Sequence, residues 1–223
     1  MNSPKQSALR FPLTRVLGSV ANVKTLRELV RHGGELSAPS LCVSTGLSTR
    51  AVQLSLRALE EMGVIRSLGS GRTRLYRRRR SHPLSQVLVE LFREEENRFA
   101  SIVGKVREAA EACRPQLMAA WIYGSVARRQ DRPDSDLDIA LVASPEAVAS
   151  VERLVREALL PAEEELVFHA SVVTLGTKDV IQLSSQSDPF WTNLRSDAMT
   201  ILGDSPDLLL TRLVRANDKA MAT

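Results

Sequence analysis

Gly124 and Ser125, followed after ten residues by Asp136 and Asp138, are the residues whose types and spacing could do chemistry. The segment reads Trp121-Ile122-Tyr123-Gly124-Ser125, and after the interval Asp136-Leu137-Asp138-Ile139-Ala140-Leu141-Val142. An apolar run that breaks at Gly-Ser lets backbone amides at the start of a following helix face a phosphate with no Cβ in the way. Two aspartates two positions apart on a strand share one face, while Leu137 and Ile139 turn into the core. Oxygen ligands on one rigid strand suit Mg²⁺, which is usually held by one or two carboxylates plus substrate phosphates. Asp134, Asp136 and Asp138 also open like a calcium loop. That loop needs Gly at its sixth position and Glu at its twelfth, where this chain has Ile139 and Pro145. The plainer alternative, a solvated acidic turn before a strand, requires the pair, the interval and both apolar runs to coincide by chance.

The elements that must position these residues belong to a chain of 223 residues, 43% hydrophobic and 25% charged, long enough for two small domains. No apolar run approaches the roughly 20 residues of a membrane span. The first residues lack the layout of a secretion signal, so a cytoplasmic protein with no membrane partner is expected. Cys42 and Cys113 lie in separate elements without metal-ligand spacing and read as buried free thiols. Charge is divided unevenly. Residues 1–82 hold 15 Lys+Arg against 4 Asp+Glu, a balance of +11, while residues 83–223 hold 15 against 22, a balance of −7. A compact basic module is the electrostatic footprint of something that meets a phosphate backbone.

In the first module, residues 12–82, apolar spacing predicts a helix from Thr14 to His32 ended by Gly33-Gly34. A short helix opens at Ser37 and closes at Gly46, and Ser48 caps a third helix running to Met62. Val52, Leu56 and Leu59 form its buried stripe, and Arg50, Gln53 and Arg57 point away from it. Leu54 also points outward, toward either a thymine methyl or a partner subunit. Val64 to Leu68, a turn at Gly69-Ser70-Gly71, and Arg72 to Tyr76 read as a hairpin loaded by Arg72, Arg74 and Arg77 to Arg80. By this order of elements and by the phrase Ala51 to Ile65, residues 14–80 resemble the winged helix-turn-helix DNA-binding modules of bacterial and archaeal regulators. The resemblance implies that Arg50, Gln53 and Arg57 face the major groove of duplex DNA and that Arg72 and Arg74 meet its backbone. The alternative is a winged helix used for protein contacts.

After His82-Pro83, an apolar stripe from Leu84 to Cys113 predicts a long helix within a connecting segment, residues 83–116. Such a helix packs along the second domain or pairs with a second copy, and a homodimer is expected because many helix-turn-helix proteins bind paired half-sites. Glu94-Glu95-Glu96 reads as a solvated face.

The second domain, residues 117–216, continues with a helix (145–160), a strand (166–174), helical stretches around Val180 and Pro189, a strand (199–202) and a last helix from Pro206. The expected fold class is α/β (α+β) in two domains: a winged helix, the long connecting helix, and a small mixed-sheet domain. Residues 117–203 resemble the minimal nucleotidyltransferases of the DNA polymerase β superfamily, whose strand, Gly-Ser, interval and Asp-x-Asp are matched by Gly124, Ser125, Asp136 and Asp138.

The resemblance implies Mg²⁺ (or Mn²⁺) on Asp136 and Asp138 as catalytic and metal-binding residues. It also implies a nucleoside triphosphate on Gly124 and Ser125, and transfer of a nucleotide monophosphate to an acceptor with loss of pyrophosphate. Arg128 is a further candidate for the phosphates, with Arg129, Lys178 and Arg195 of the same kind. The family also carries a third carboxylate on the neighbouring strand. Here Glu165 to Thr174 has no acid in its middle, and Glu165, His169 and Ser171 share a face by alternation, so Glu165 or His169 would have to substitute. Two functions stay open: a magnesium-dependent nucleotidyltransferase with a DNA-binding module, or a DNA-binding transcriptional regulator whose second domain only binds nucleotide or partners. Small nucleotidyltransferases of this type also occur as antitoxins beside helical toxins, so an antitoxin with a toxin partner is a third reading that the resemblance implies.

Overall fold

The computed structural model describes residues 7–71 and 74–221, which divide between Asn97 and Arg98 into two compact units. No described helix is long and apolar enough to cross a membrane.

In the first unit, the helix expected from Thr14 to His32 is two helices, α1 (Leu13–Val16) and α2 (Val20–His32). A Cβ on Gly18 would collide with the carbonyl of Thr14, and the Ser19 side chain caps α2 by accepting from the amide of Asn22. The side-chain amide of Asn22 then donates to the carbonyl of Arg15 at 2.8 Å, tying the two pieces across the break. Strand β1 (Leu36–Ser37) follows, then α3 (Ala38–Thr45) between its Ser37 cap and Gly46, which takes the left-handed conformation. Next comes α4 (Thr49–Glu61), capped by Ser48. Val52, Leu56 and Leu59 of α4 are buried with Leu26, Leu29 and Leu41 in one core, each fully buried side chain contributing about 1.5–3 kcal/mol.

The hairpin is β2 (Ile65–Leu68) and β3 (Leu75–Arg78), so its second strand starts three residues later than Arg72. β1 pairs with β3 to give a three-stranded antiparallel sheet that periodicity missed, since a two-residue strand has no period to read. Helix α5 (Ser85–Glu111) starts within this unit, and its Leu88 and Phe92 close the same core. The acidic run on α5 is exposed as expected, and Glu95 takes a two-pronged ion pair from Arg27. Cys42 is only half-buried; Cys113 is buried, and both thiols are free.

In the second unit a four-stranded mixed sheet has the order β6-β5-β4-β7. Its strands are β4 (Leu117–Tyr123), β5 (Leu137–Ala143), β6 (Ala170–Gly176) and β7 (Met199–Leu202). β4 runs antiparallel to β5 and β7, and β5 runs parallel to β6. One face packs on Ile102, Val106 and Ala110 of α5 and on Val151, Val155 and Leu159 of α7 (Val148–Leu166). The other packs on α8 (Thr177–Ser185), α9 (Pro189–Asp197) and α10 (Pro206–Met221), where Trp121 meets Trp191 edge to face at 6.3 Å.

The strand expected from Leu166 begins only at Ala170. Helix α7, preceded by a 3-10 turn at Pro145–Ala147, runs six residues past its expected end at Leu160 and holds Glu165. The Arg98 guanidinium donates to the carbonyls of Leu166 and Val167, giving partners to groups that a helix C-terminus otherwise leaves bare.

Candidate functional site

Strand β4 ends where Gly124 turns the chain at φ 74°, a left-handed conformation that suits glycine. The following helix, α6 (Gly124–Ala127), is a single turn. β4 and β5 place Tyr123 opposite Asp138, and Gly124 is pressed against that aspartate: a Cβ there would strike Oδ2 of Asp138. Glycine is therefore required twice, by its backbone angle and by the carboxylate beside it.

Asp138 lies half-buried on β5 between the buried Leu137 and Ile139, as strand alternation predicts. Asp136 departs from the expectation, because it precedes the strand and is exposed. Burial raises the pKa of Asp138 above the ordinary carboxylate value, the negative charge of Asp136 raises it further, and the positive charge of Arg128 partly offsets both. Burial and the charge of Asp138 likewise raise the phenol of Tyr123. Gly124, Asp136, Asp138 and Arg128 thus form one neighbourhood, with Ser125 half-buried at the start of the turn.

The guanidinium of Arg128 is engaged by the carboxylate of Asp197 at the end of α9. The Ser196 hydroxyl, and after it Arg128, hold Asp197 below its usual range. Asp197 was invisible to local pattern, because it lies 69 residues along the chain from Arg128. Arg195 pairs with Asp207 at 2.5 Å, and Lys178 is exposed on α8.

Two like charges held close, with oxygen the only donor type, are a donor set that a hard divalent cation relieves, so Asp136 and Asp138 fit Mg²⁺ or Mn²⁺. Among the described residues no group of three or more His, Cys, Asp and Glu side chains is placed to hold a metal. The neighbouring strand offers Ser171 directly beside Asp138 in the parallel register. Glu165 is excluded from that position because it belongs to α7, where its charge acts on Lys105. His169 stands just before β6; its carbonyl accepts from the amide of Leu137 at 2.7 Å. Its side chain lines a concavity of about 310 Å³ together with Asp134, Ser135 and Phe99.

In the first unit Arg50, Gln53 and Arg57 are exposed on α4, with Arg57 paired to Glu61 at 3.0 Å, and Leu54 is exposed beside them. Arg74 is exposed just ahead of β3, whereas Arg72 lies outside the described residues.

The family described as polymerase beta, nucleotidyltransferase matches residues 106–206. That span holds all of β4 to β7 together with Asp136 and Asp138, so the family match falls on the second unit. No curated protein matches the chain in sequence. Among solved structures, the chain is similar to a toxin-antitoxin crystallised with AMP-PNP, at 13% identity and a TM-score of 0.34, over 54% of this chain and 90% of that one. It is also similar to the toxin-antitoxin MntA-HepT, at 13% identity and a TM-score of 0.32, over 55% and 90%.

Proposed function

We propose that the second unit binds a nucleoside triphosphate with Mg²⁺ or Mn²⁺ and transfers its nucleotide monophosphate to an acceptor, and that the first unit is a winged helix that brings it to DNA. The observation carrying the reading is the contact between Gly124 and Asp138, which fixes a glycine bend against one of two mutually repelling carboxylates. Asp136 and Asp138 would hold the cation, which when bound neutralises the phosphates and the charge growing on the leaving group. The turn at Gly124 and Ser125 would orient the triphosphate. Arg128 would exchange its carboxylate partner Asp197 for phosphate oxygen, a pairing that guanidinium makes as a fork. An acceptor hydroxyl attacks the α-phosphorus and gives up its proton to solvent, the bond to the bridging oxygen breaks, and pyrophosphate leaves.

The reading is tested by incubating the full chain with each labelled nucleoside triphosphate, Mg²⁺ and a cell extract. An acceptor should become labelled and pyrophosphate should appear, and Asp136→Asn/Asp138→Asn should abolish both. If no triphosphate yields pyrophosphate, transfer is refuted.

One observation favours a second reading, a transcriptional regulator whose second unit binds nucleotide without transferring it. Ser171 stands beside Asp138 where a third carboxylate would take the acceptor's proton. Under that reading nucleotide binds, the aspartate pair is still required, and no label moves. Both readings share the DNA-binding face of Arg50, Gln53, Arg57 and Arg74, and both accommodate a homodimer through the exposed Val87 and Leu91 of α5.

A further inference from the structure

The first unit concentrates positive charge at a place that the proposed DNA face does not use. The register of β2 and β3 sets Arg66 directly opposite Arg77. Like charges so placed repel across a sheet. The only carboxylate among the described residues bordering them is Glu35, one residue before β1, which pairs with Arg77 at 3.2 Å. Arg79 and Arg80 follow as the chain leaves β3. Together these arginines and Arg78 line a concavity of about 670 Å³ whose lining includes five arginines and one carboxylate, Glu35. Arg78 is anchored on Ser85 and Arg79 leans on Ser81 at 3.3 Å, while the side chains of Arg66 and Arg80 have no hydrogen-bond or ion-pair partner among the described residues. Arg50, Gln53, Arg57 and Arg74 do not line it.

Guanidinium forks match phosphate oxygens, and the volume is that of a small-ligand site, about 300–1,000 Å³. A duplex is convex and carries one phosphate per strand for roughly every 3.4 Å of helix axis, wound around its surface, so it could insert few of them into such a hollow. A compact chain of adjoining phosphates brings several charges at once.

We infer that this hollow at the base of the hairpin binds a compact oligophosphate, either pyrophosphate or the phosphate chain of a nucleotide, without a metal ion. The site is separate from the aspartate pair and does not depend on the transfer reading.

The test is calorimetric titration of the full chain in chelator with pyrophosphate, ATP, orthophosphate and a short DNA duplex. Pyrophosphate should bind at least about tenfold tighter than orthophosphate, because several forks act together. ATP matching pyrophosphate would identify the phosphate chain as the recognised element, whereas ATP binding tighter would identify a nucleotide. Arg66→Ala/Arg80→Ala should weaken binding at least about tenfold, and Asp136→Asn/Asp138→Asn should leave it unchanged. Glu35→Gln should tighten it severalfold, a gain that loss of folding cannot imitate and that decides the matter if the arginine variant fails to fold. Absence of pyrophosphate binding, insensitivity to the arginine pair, or weaker binding by Glu35→Gln would overturn the inference. So would a duplex that binds through Arg66 and Arg80 while pyrophosphate does not.

Discussion

Asp138 is held where its own negative charge is costly: burial strips it of water, and Asp136 repels it. Its folded carboxyl keeps its proton more tightly than the unfolded chain does. Folding stability from this group is therefore present below the ordinary value of 3.8 and is lost as pH rises through the raised one. Asp138→Asn removes the charge and keeps the shape. In chelator at neutral pH its melting midpoint should exceed that of the parent chain by roughly 2–4 °C, a modest gain at this chain length. Below pH 3.8, where the parent carboxyl is protonated, the difference should close. Magnesium with a triphosphate should then raise the parent midpoint by more than the variant's, the difference being the part owed to the aspartate pair. Scanning calorimetry at the two pH values checks both statements, and a variant less stable than the parent at neutral pH would show that the carboxylate is not strained there.

At the scale of elements, β5 was legible because its signal is local: an apolar run of strand length carries Asp138 between Leu137 and Ile139, which turn into the core, while Asp136 falls just before it. The start of β6 was not legible. Glu163, Glu164 and Glu165 extend α7, whose end is secured by Arg98, a residue 68 positions from the Leu166 carbonyl it caps. Glu163 also accepts from the amide of Ala170 at 2.9 Å, so the helix end and the strand start are fixed together. Alternation still put Ser171 on the correct face, and the register places it beside Asp138. Ser171→Asp should therefore add a third oxygen ligand next to the pair. Manganese affinity, followed by titration with electron paramagnetic resonance, should rise about tenfold or more, since carboxylate count tunes binding of hard cations. Asp138→Asn in the same background should cancel the gain. Unchanged affinity would mean that position 171 does not look onto the cation site.

Across the whole molecule, composition alone separates a basic first module at +11 from an acidic remainder at −7. Charge balance is additive along the chain and needs no contacts to read. What composition cannot supply is pairing: Arg57 and Arg77 take Glu61 and Glu35, which the +11 already counts, whereas Arg27 takes Glu95 from beyond residue 82 and so draws on the excess itself. The DNA reading depends on the part left free, notably Arg50 and Arg74, which are exposed. Binding that rests on phosphate neutralisation releases counterions, so the logarithm of affinity should fall linearly with the logarithm of salt at about 0.9 per phosphate contacted. For the full chain on a duplex from its own upstream region, measured by fluorescence anisotropy at about 50–200 mM salt, a steep slope is expected. Arg74→Ala should reduce the slope by about 0.9 and weaken binding to every duplex alike, as loss of one backbone contact does. Arg50→Ala should weaken the upstream duplex more than a scrambled one if it reads base edges. A flat salt dependence, or two variants that bind like the parent, would remove the DNA face from α4 and the hairpin and return the first unit to a protein-contact role.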